Sequence, residues 1–261
     1  METISIKLDD TYMNVVKFGT GNKNMLMIAG LSLAGLDGQE EGIVQALSNF
    51  SDDFTVYLFD SKKHIKGEYS IEMMAEDLYS ALQQLGISKA FVYGVSQGGM
   101  EGQALALAHP ELVEKLALCS TFAKATDLMK ATSKSWIEYA KNYDVVGLNR
   151  DFFKHVYSKK FLKQFEAALP ALEQVGTKQD CEHIIPLIEA CLKFDVLDRI
   201  QEIKCPVLVM GDKNDDVTGI EGTYQIAEKL NCESYVYDDF SHAVYDEAPD
   251  IKDRVLDFFL E

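Results

Sequence analysis

Ala90-Phe91-Val92-Tyr93-Gly94-Val95-Ser96-Gln97-Gly98-Gly99-Met100 is the stretch on which the reading of this 261-residue chain turns. Ala90–Tyr93 is short and continuously apolar, the mark of a strand buried on both faces. Met100, Ala104 and Ala108 then recur at helical spacing until Pro110 stops the pattern. Between strand and helix sits Gly94-Val95-Ser96-Gln97-Gly98, a G-x-S-x-G turn. Such a pentapeptide arises by chance in roughly one chain in ten of this length, so its place between a strand and a helix carries the weight. A serine on so tight a turn has its hydroxyl pushed out above the sheet, and the flanking glycines allow a backbone approach that a Cβ would block. The first N–H groups of the following helix point at the same spot. The plain alternative is a glycine-rich turn in which Ser96 only caps a helix. Neither G-x-x-x-x-G-K-[ST] nor G-x-G-x-x-G occurs, which argues against a phosphate loop.

Outward from this turn, short apolar runs alternate with helical patterns. Met13–Phe18, Met25–Ala29, Thr55–Phe59 and Lys115–Leu118 read as further strands. Ser70 is the expected N-cap of a helix whose face is Met74, Leu78, Leu82 and Leu85, closed by Gly86. Strands separated by helices imply βαβ units and a mostly parallel sheet. From about Ala123 to Ile203 strand-like runs vanish, and Trp136–Tyr143, Phe152–Tyr157, Phe161–Leu169 and Ile184–Phe194 read as helices. Pro206–Met210 and Ser234–Tyr237 restore strands, and Ile251–Leu260 is a last helix. The expected architecture is a central α/β sheet flanked by helices, formed by 1–122 and 204–261. A helical insertion, 123–203, would lie over the strand ends as a lid.

A serine hydroxyl needs a base to become a nucleophile. His109 precedes Pro110 at a helix end, His155 and His183 fall in the insertion, and His64 sits in the loop after the third strand run. His242, in Asp239-Phe240-Ser241-His242-Ala243, follows the last strand and should stand on the same sheet edge as Ser96. The turn Gly211-Asp212-Lys213-Asn214-Asp215-Asp216 after Met210 offers carboxylates to orient it. Asp212 comes too soon after the glycine; Asp215 is preferred to Asp216, and two like charges cannot both be buried cheaply, so one should face water. An oxyanion would need two N–H donors. Gln97 supplies one and Leu31, in Ala29-Gly30-Leu31-Ser32, the other, with the Ser32 hydroxyl as a possible extra.

Taken together, Ile28-Ala29-Gly30-Leu31, Phe59-Asp60, the Gly94–Met100 turn, Pro206–Gly211 with Asp215, and Ser241-His242 resemble the α/β-hydrolase superfamily, in its compact esterase and haloperoxidase-like branch. The pieces span nearly the whole chain outside the insertion and stand in family order. Ala29 takes a place where members often carry His, and Asn214 a place where the acid often sits, one residue before Asp215. The resemblance implies a cofactor-free Ser–acid–His hydrolase acting through an acyl-enzyme. Serine rather than aspartate at the turn argues against haloalkane dehalogenases and epoxide hydrolases of that fold.

A net charge of −17 would repel nucleic-acid phosphates and an anionic membrane surface, so a small-molecule substrate is expected. Met25–Leu36, the longest apolar stretch, is too short for a bilayer. The five cysteines are scattered without a C-x-x-C pair, pointing to a reduced, cytoplasmic protein without a zinc site. Trp136, Tyr139, Tyr143, Phe152, Phe153, Tyr157, Phe161 and Phe165 enrich the insertion in aromatics, suggesting lid core and a pocket for an apolar acyl or aromatic group. A carboxylic ester is the favoured substrate. Thioester or carbon–carbon cleavage, and a receptor-like member with little turnover, are the alternatives.

Overall fold

A computed structural model of the chain describes residues 1–9, 11–36 and 38–261. The elements run β1 Glu2–Leu8, β2 Thr11–Phe18, β3 Lys23–Ile28, α1 Glu40–Ala46, β4 Phe54–Phe59, α2 Ile71–Gln84, β5 Ala90–Val95, α3 Gln97–Ala108 and β6 Val113–Cys119. The helical insertion follows: α4 Asp127–Lys141, α5 Val145–Val156, α6 Lys159–Gln164, α7 Leu169–Leu172 and α8 Lys178–Lys193. The chain ends with β7 Val207–Asp212, α9 Ile220–Leu230, β8 Glu233–Tyr237, α10 Val244–Glu247 and α11 Ile251–Leu260.

Among the described residues the strands form one eight-stranded sheet in the order β1-β2-β4-β3-β5-β6-β7-β8. β1, β2 and β4 pair antiparallel in turn, and every other pairing is parallel. The interior strands are buried along nearly their whole length, β5 and β7 completely, as continuous apolar runs require when helices cover both faces. One face packs against α2 and α3, the other against α1 and α11.

Register places the chemistry. Ile28 pairs with Gly94 and with Phe59, Val95 with Cys119, and Cys119 with Met210. The C-terminal ends of five adjacent strands thus stop at one level, and the loops after β3, β5 and β7 meet there.

The insertion is broken more finely than its periodicity suggested. The expected helix over Phe161–Leu169 is two short ones, α6 and α7. Its buried residues, Trp136, Leu148, Ile184 and Ile188 among them, join the same apolar cluster as the α2/α3 face of the sheet. The five thiols are unpaired, and Cys119, Cys181 and Cys191 are fully buried. No helix among the described residues is long and apolar enough to cross a membrane.

Candidate active site

Ser96 stands between β5 and α3 with φ +52° and ψ −119°, a left-handed backbone that non-glycine residues adopt at a cost. The glycines on either side allow it. A Cβ on Gly94 would lie 2.4 Å from the Gly98 carbonyl oxygen, and one on Gly98 2.2 Å from that of Ile28. The chain can therefore fold back on itself and press against β3 only where side chains are missing.

The Ser96 hydroxyl lies 3.0 Å from Nε2 of His242, and Nδ1 of the same ring lies 2.9 Å from Oδ2 of Asp215. With the Nδ1 hydrogen donated to the carboxylate, Nε2 presents its lone pair to the serine. Ser96, Asp215 and His242 are only 7%, 5% and 2% exposed, so the chain of hydrogen bonds is dry. Asp215 also accepts from the N–H groups of Val217 and Thr218, both at 2.8 Å, and from the Thr218 hydroxyl at 2.6 Å. Burial alone would push this carboxyl up; His242 and the Thr218 and Val217 donors together hold it below the usual carboxylate range.

Its neighbours in the turn do different work. Asp216 is exposed to water. Asp212 is fully buried, and accepts from the N–H groups of Asn214 and Phe240 at 2.7 and 3.0 Å. Asn214 donates to the Asp238 carbonyl at 2.8 Å. Asp212 and Asn214 thus pin the turn after β7 to the loop that carries His242.

The other histidines have different partners. His109 lies 3.0 Å from a Glu76 oxygen and stacks on Tyr79, His155 bonds the Asp151 carbonyl, and His183 faces Ser61. His64 is exposed.

Gln97 is the first residue of α3, so its N–H has no acceptor a turn back and opens beside Ser96. The loop after β3 runs past the serine closely enough that a Cβ on Gly30 would stand 3.0 Å from the Ser96 Cβ. Leu31 lines the small chamber around Ser96 and His242. The Ser32 hydroxyl turns elsewhere, donating to the Gly35 carbonyl at 3.4 Å.

Three supports were invisible in the linear pattern. The Ser120 hydroxyl donates to the His242 carbonyl at 2.7 Å and the Thr121 hydroxyl to that of Ser96 at 2.8 Å, so two successive residues after β6 fasten both backbones. The buried Gln97 amide donates to the Leu187 carbonyl at 3.0 Å, joining the turn at Ser96 to α8. Polar residues just past a strand end are the one available signal for Ser120 and Thr121.

The insertion closes the site. Met129, Trp136, Phe152 and Val156 wall the chamber with Val217 and Tyr245, leaving about 10 Å³. Trp136 and Phe152 pack with ring centroids 4.8 Å apart. The Ala243 N–H donates to the Val156 carbonyl at 2.8 Å, and the Thr132 hydroxyl to the Asp216 carbonyl at 3.3 Å. Among the described residues no group of three or more His, Cys, Asp or Glu side chains is placed to hold a metal ion.

The chain has relatives among known proteins. The chain is 25% identical over 235 residues to RutD of Rhizobium rhizogenes, provisionally a carbamate hydrolase, covering 86% of this chain and 90% of that one. It is 22% identical over 231 residues to 3-oxoadipate enol-lactonase 2 of Acinetobacter baylyi, covering 87% and 84%. Among solved structures, the enol-lactonase of Burkholderia xenovorans superposes with a TM-score of 0.86 at 21% identity, covering 99% of this chain and all of that one. An esterase of Thermogutta terrifontis gives 0.81 at 18%, covering 99% and 98%. Both likenesses are of fold. The alpha/beta hydrolase fold family itself matches residues 23–249. A match that begins at β3 and runs past His242 makes this chain a member of the α/β-hydrolase fold family.

Proposed function

We propose that the protein is a serine hydrolase that cleaves a small carboxylic ester or related acyl compound through an acyl-enzyme, with Ser96, His242 and Asp215 as its triad. The observation that carries this reading is the buried, unbroken run of hydrogen bonds from Asp215 through His242 to Ser96. A hydroxyl bonded to the free nitrogen of a carboxylate-oriented imidazole is an activated nucleophile.

In the first half-reaction the Ser96 oxygen bonds to the substrate carbonyl carbon as its proton passes to Nε2 of His242. The carbonyl oxygen, now an anion, takes hydrogen bonds from the Leu31 and Gln97 N–H groups, in a chamber whose apolar walls strengthen them. Asp215, held ionised, stabilises the imidazolium. The bond from carbon to the alcohol oxygen then breaks, and His242 returns the proton to that oxygen. Water repeats the sequence on the acyl-serine, giving its proton to His242 and releasing the acid, and Ser96 recovers its hydrogen.

The names borne by the relatives, a carbamate hydrolase and an enol-lactonase, fit a carbonyl bonded to a heteroatom. The insertion, 123–203, then acts as the cap over the reaction chamber, and the domain division is that of a core, 1–122 and 204–261, with a lid. A fluorophosphonate probe tests the reading directly: one covalent adduct on Ser96, lost in Ser96→Ala, together with turnover of a simple ester or lactone. Labelling without turnover on a broad ester, lactone and carbamate panel would favour a receptor-like role instead.

A further inference from the structure

The chamber around Ser96 holds only about 10 Å³, too little for more than the reacting atoms. Next to it lies a groove of about 590 Å³, within the range of a small-molecule site. The two share Leu31, Phe152, Val156 and Tyr245 as a common wall. A substrate whose carbonyl sits at Ser96 therefore reaches the groove by passing those four side chains. The groove runs between the oxyanion-loop side, with Leu36 and, on α1, Ile43, and the insertion, with Phe153 and Leu172. It opens to solvent where Gly42 and Ala46 of α1 are exposed.

Two facts fix what the groove can take. His242 lines the chamber but not the groove. The leaving oxygen has to be within reach of Nε2 to be protonated, so the substituent that leads away from His242 is on the acyl side of the carbonyl. Charge is the second. Lys252, which lines the groove, acts on the nearby Asp246 carboxylate, which lines it too. Asn149, also in the lining, spends its amide hydrogens on the Glu173 and Val175 carbonyls. An anionic tail entering a chain of net charge −17 meets no excess of positive charge there.

Resting on the acyl-hydrolase reading above, we infer that this groove binds the acyl chain, and that the preferred substrates are neutral esters of an extended apolar acid with a small alcohol. Each methylene taken from water into the groove contributes about fourfold to kcat/KM until the groove is full.

The test uses the purified protein with two matched series: methyl esters of increasing acyl length, and acetates of increasing alcohol length. A half-ester of a dicarboxylic acid, matched in length, is added. Gly42→Phe and Ala46→Trp, one helical turn apart on α1, put bulk at the groove mouth. A Cβ on Gly42 meets nothing within 4 Å, so the backbone tolerates the change. The expected result is a kcat/KM that climbs with acyl length, stays flat with alcohol length, and is at least tenfold lower for the half-ester. Either variant should lower the decanoate-to-acetate ratio at least tenfold. A flat acyl series, a climb in the alcohol series, or a half-ester preferred over its neutral match would overturn the inference while Ser96 still labels with fluorophosphonate. Failure of Ser96 to label would instead overturn the acyl-transfer reading, and this inference with it.

Discussion

At the scale of single residues, the aspartates after β7 differ by what faces them. Asp215 is buried under four donors, and Asp216 faces water. Asp215→Asn is expected to cut kcat roughly 10³- to 10⁴-fold, through loss of the negative charge and of the imidazole tautomer it selects. Asp216→Asn should change kcat less than threefold; steady-state kinetics on one ester separates them. Thr121→Val removes the hydroxyl on the Ser96 carbonyl while keeping the shape, and should lower kcat more than it raises KM. Glu101, half-buried on α3, makes a prediction about pH. Burial, with the nearby Asp77 charge, pushes its carboxyl up to about 8. The unfolded chain loses this proton near pH 4.5, the folded chain only near pH 8, so between those values the native state binds more protons and stability falls as pH rises. Glu101→Gln should therefore raise the urea midpoint more at pH 8 than at pH 5. An equal shift at both would remove the carboxyl as the cause.

At the scale of elements, the turn at Ser96 stands or falls with two missing side chains. Gly98→Ala must move either β3 or the start of α3, because the added methyl group would overlap the Ile28 carbonyl. Loss of fluorophosphonate labelling and a lower melting temperature are expected together. This turn was legible in the chain because its constraints are local: an apolar strand, glycines at fixed offsets, a helix stopped by proline. The same holds for α2, whose Ser70 cap accepts from the Met73 N–H as its position implied. β1 was not legible. An edge strand with one pairing neighbour alternates exposed and buried residues, and Glu2–Leu8 carries too few buried positions to stand out from a polar terminus. Ser120 and Thr121 were hidden for a different reason. Their partners are main-chain carbonyls 122 and 25 positions away, and a carbonyl has no signature in sequence. His242 and Asp215 were chosen because each follows an expected strand and because of the order that the family resemblance implies; the register that brings those strand ends to one level has no signature in the chain.

At the scale of the molecule, the insertion is part of the core rather than an ornament on it. Its apolar side chains belong to the cluster beneath the sheet, its Val156 carbonyl accepts from the Ala243 N–H, and its Thr132 hydroxyl donates to the Asp216 carbonyl, which ties it to the loops that carry His242 and Asp215. Unfolding should be a single event. Trp136 is the chain's sole tryptophan, buried in the insertion, so its fluorescence reports that region while far-UV circular dichroism reports the whole. The two curves should coincide in urea; an earlier fluorescence transition would mean the insertion melts alone. Cys181 and Cys191 lie sealed within α8, and Cys119 within the sheet. In the native state a thiol-reactive dye has nothing to reach at these three positions, so each becomes a clock that starts only when its own neighbourhood opens. Equal modification rates at all three would time one concerted opening, and a head start for the α8 pair would time the insertion opening by itself.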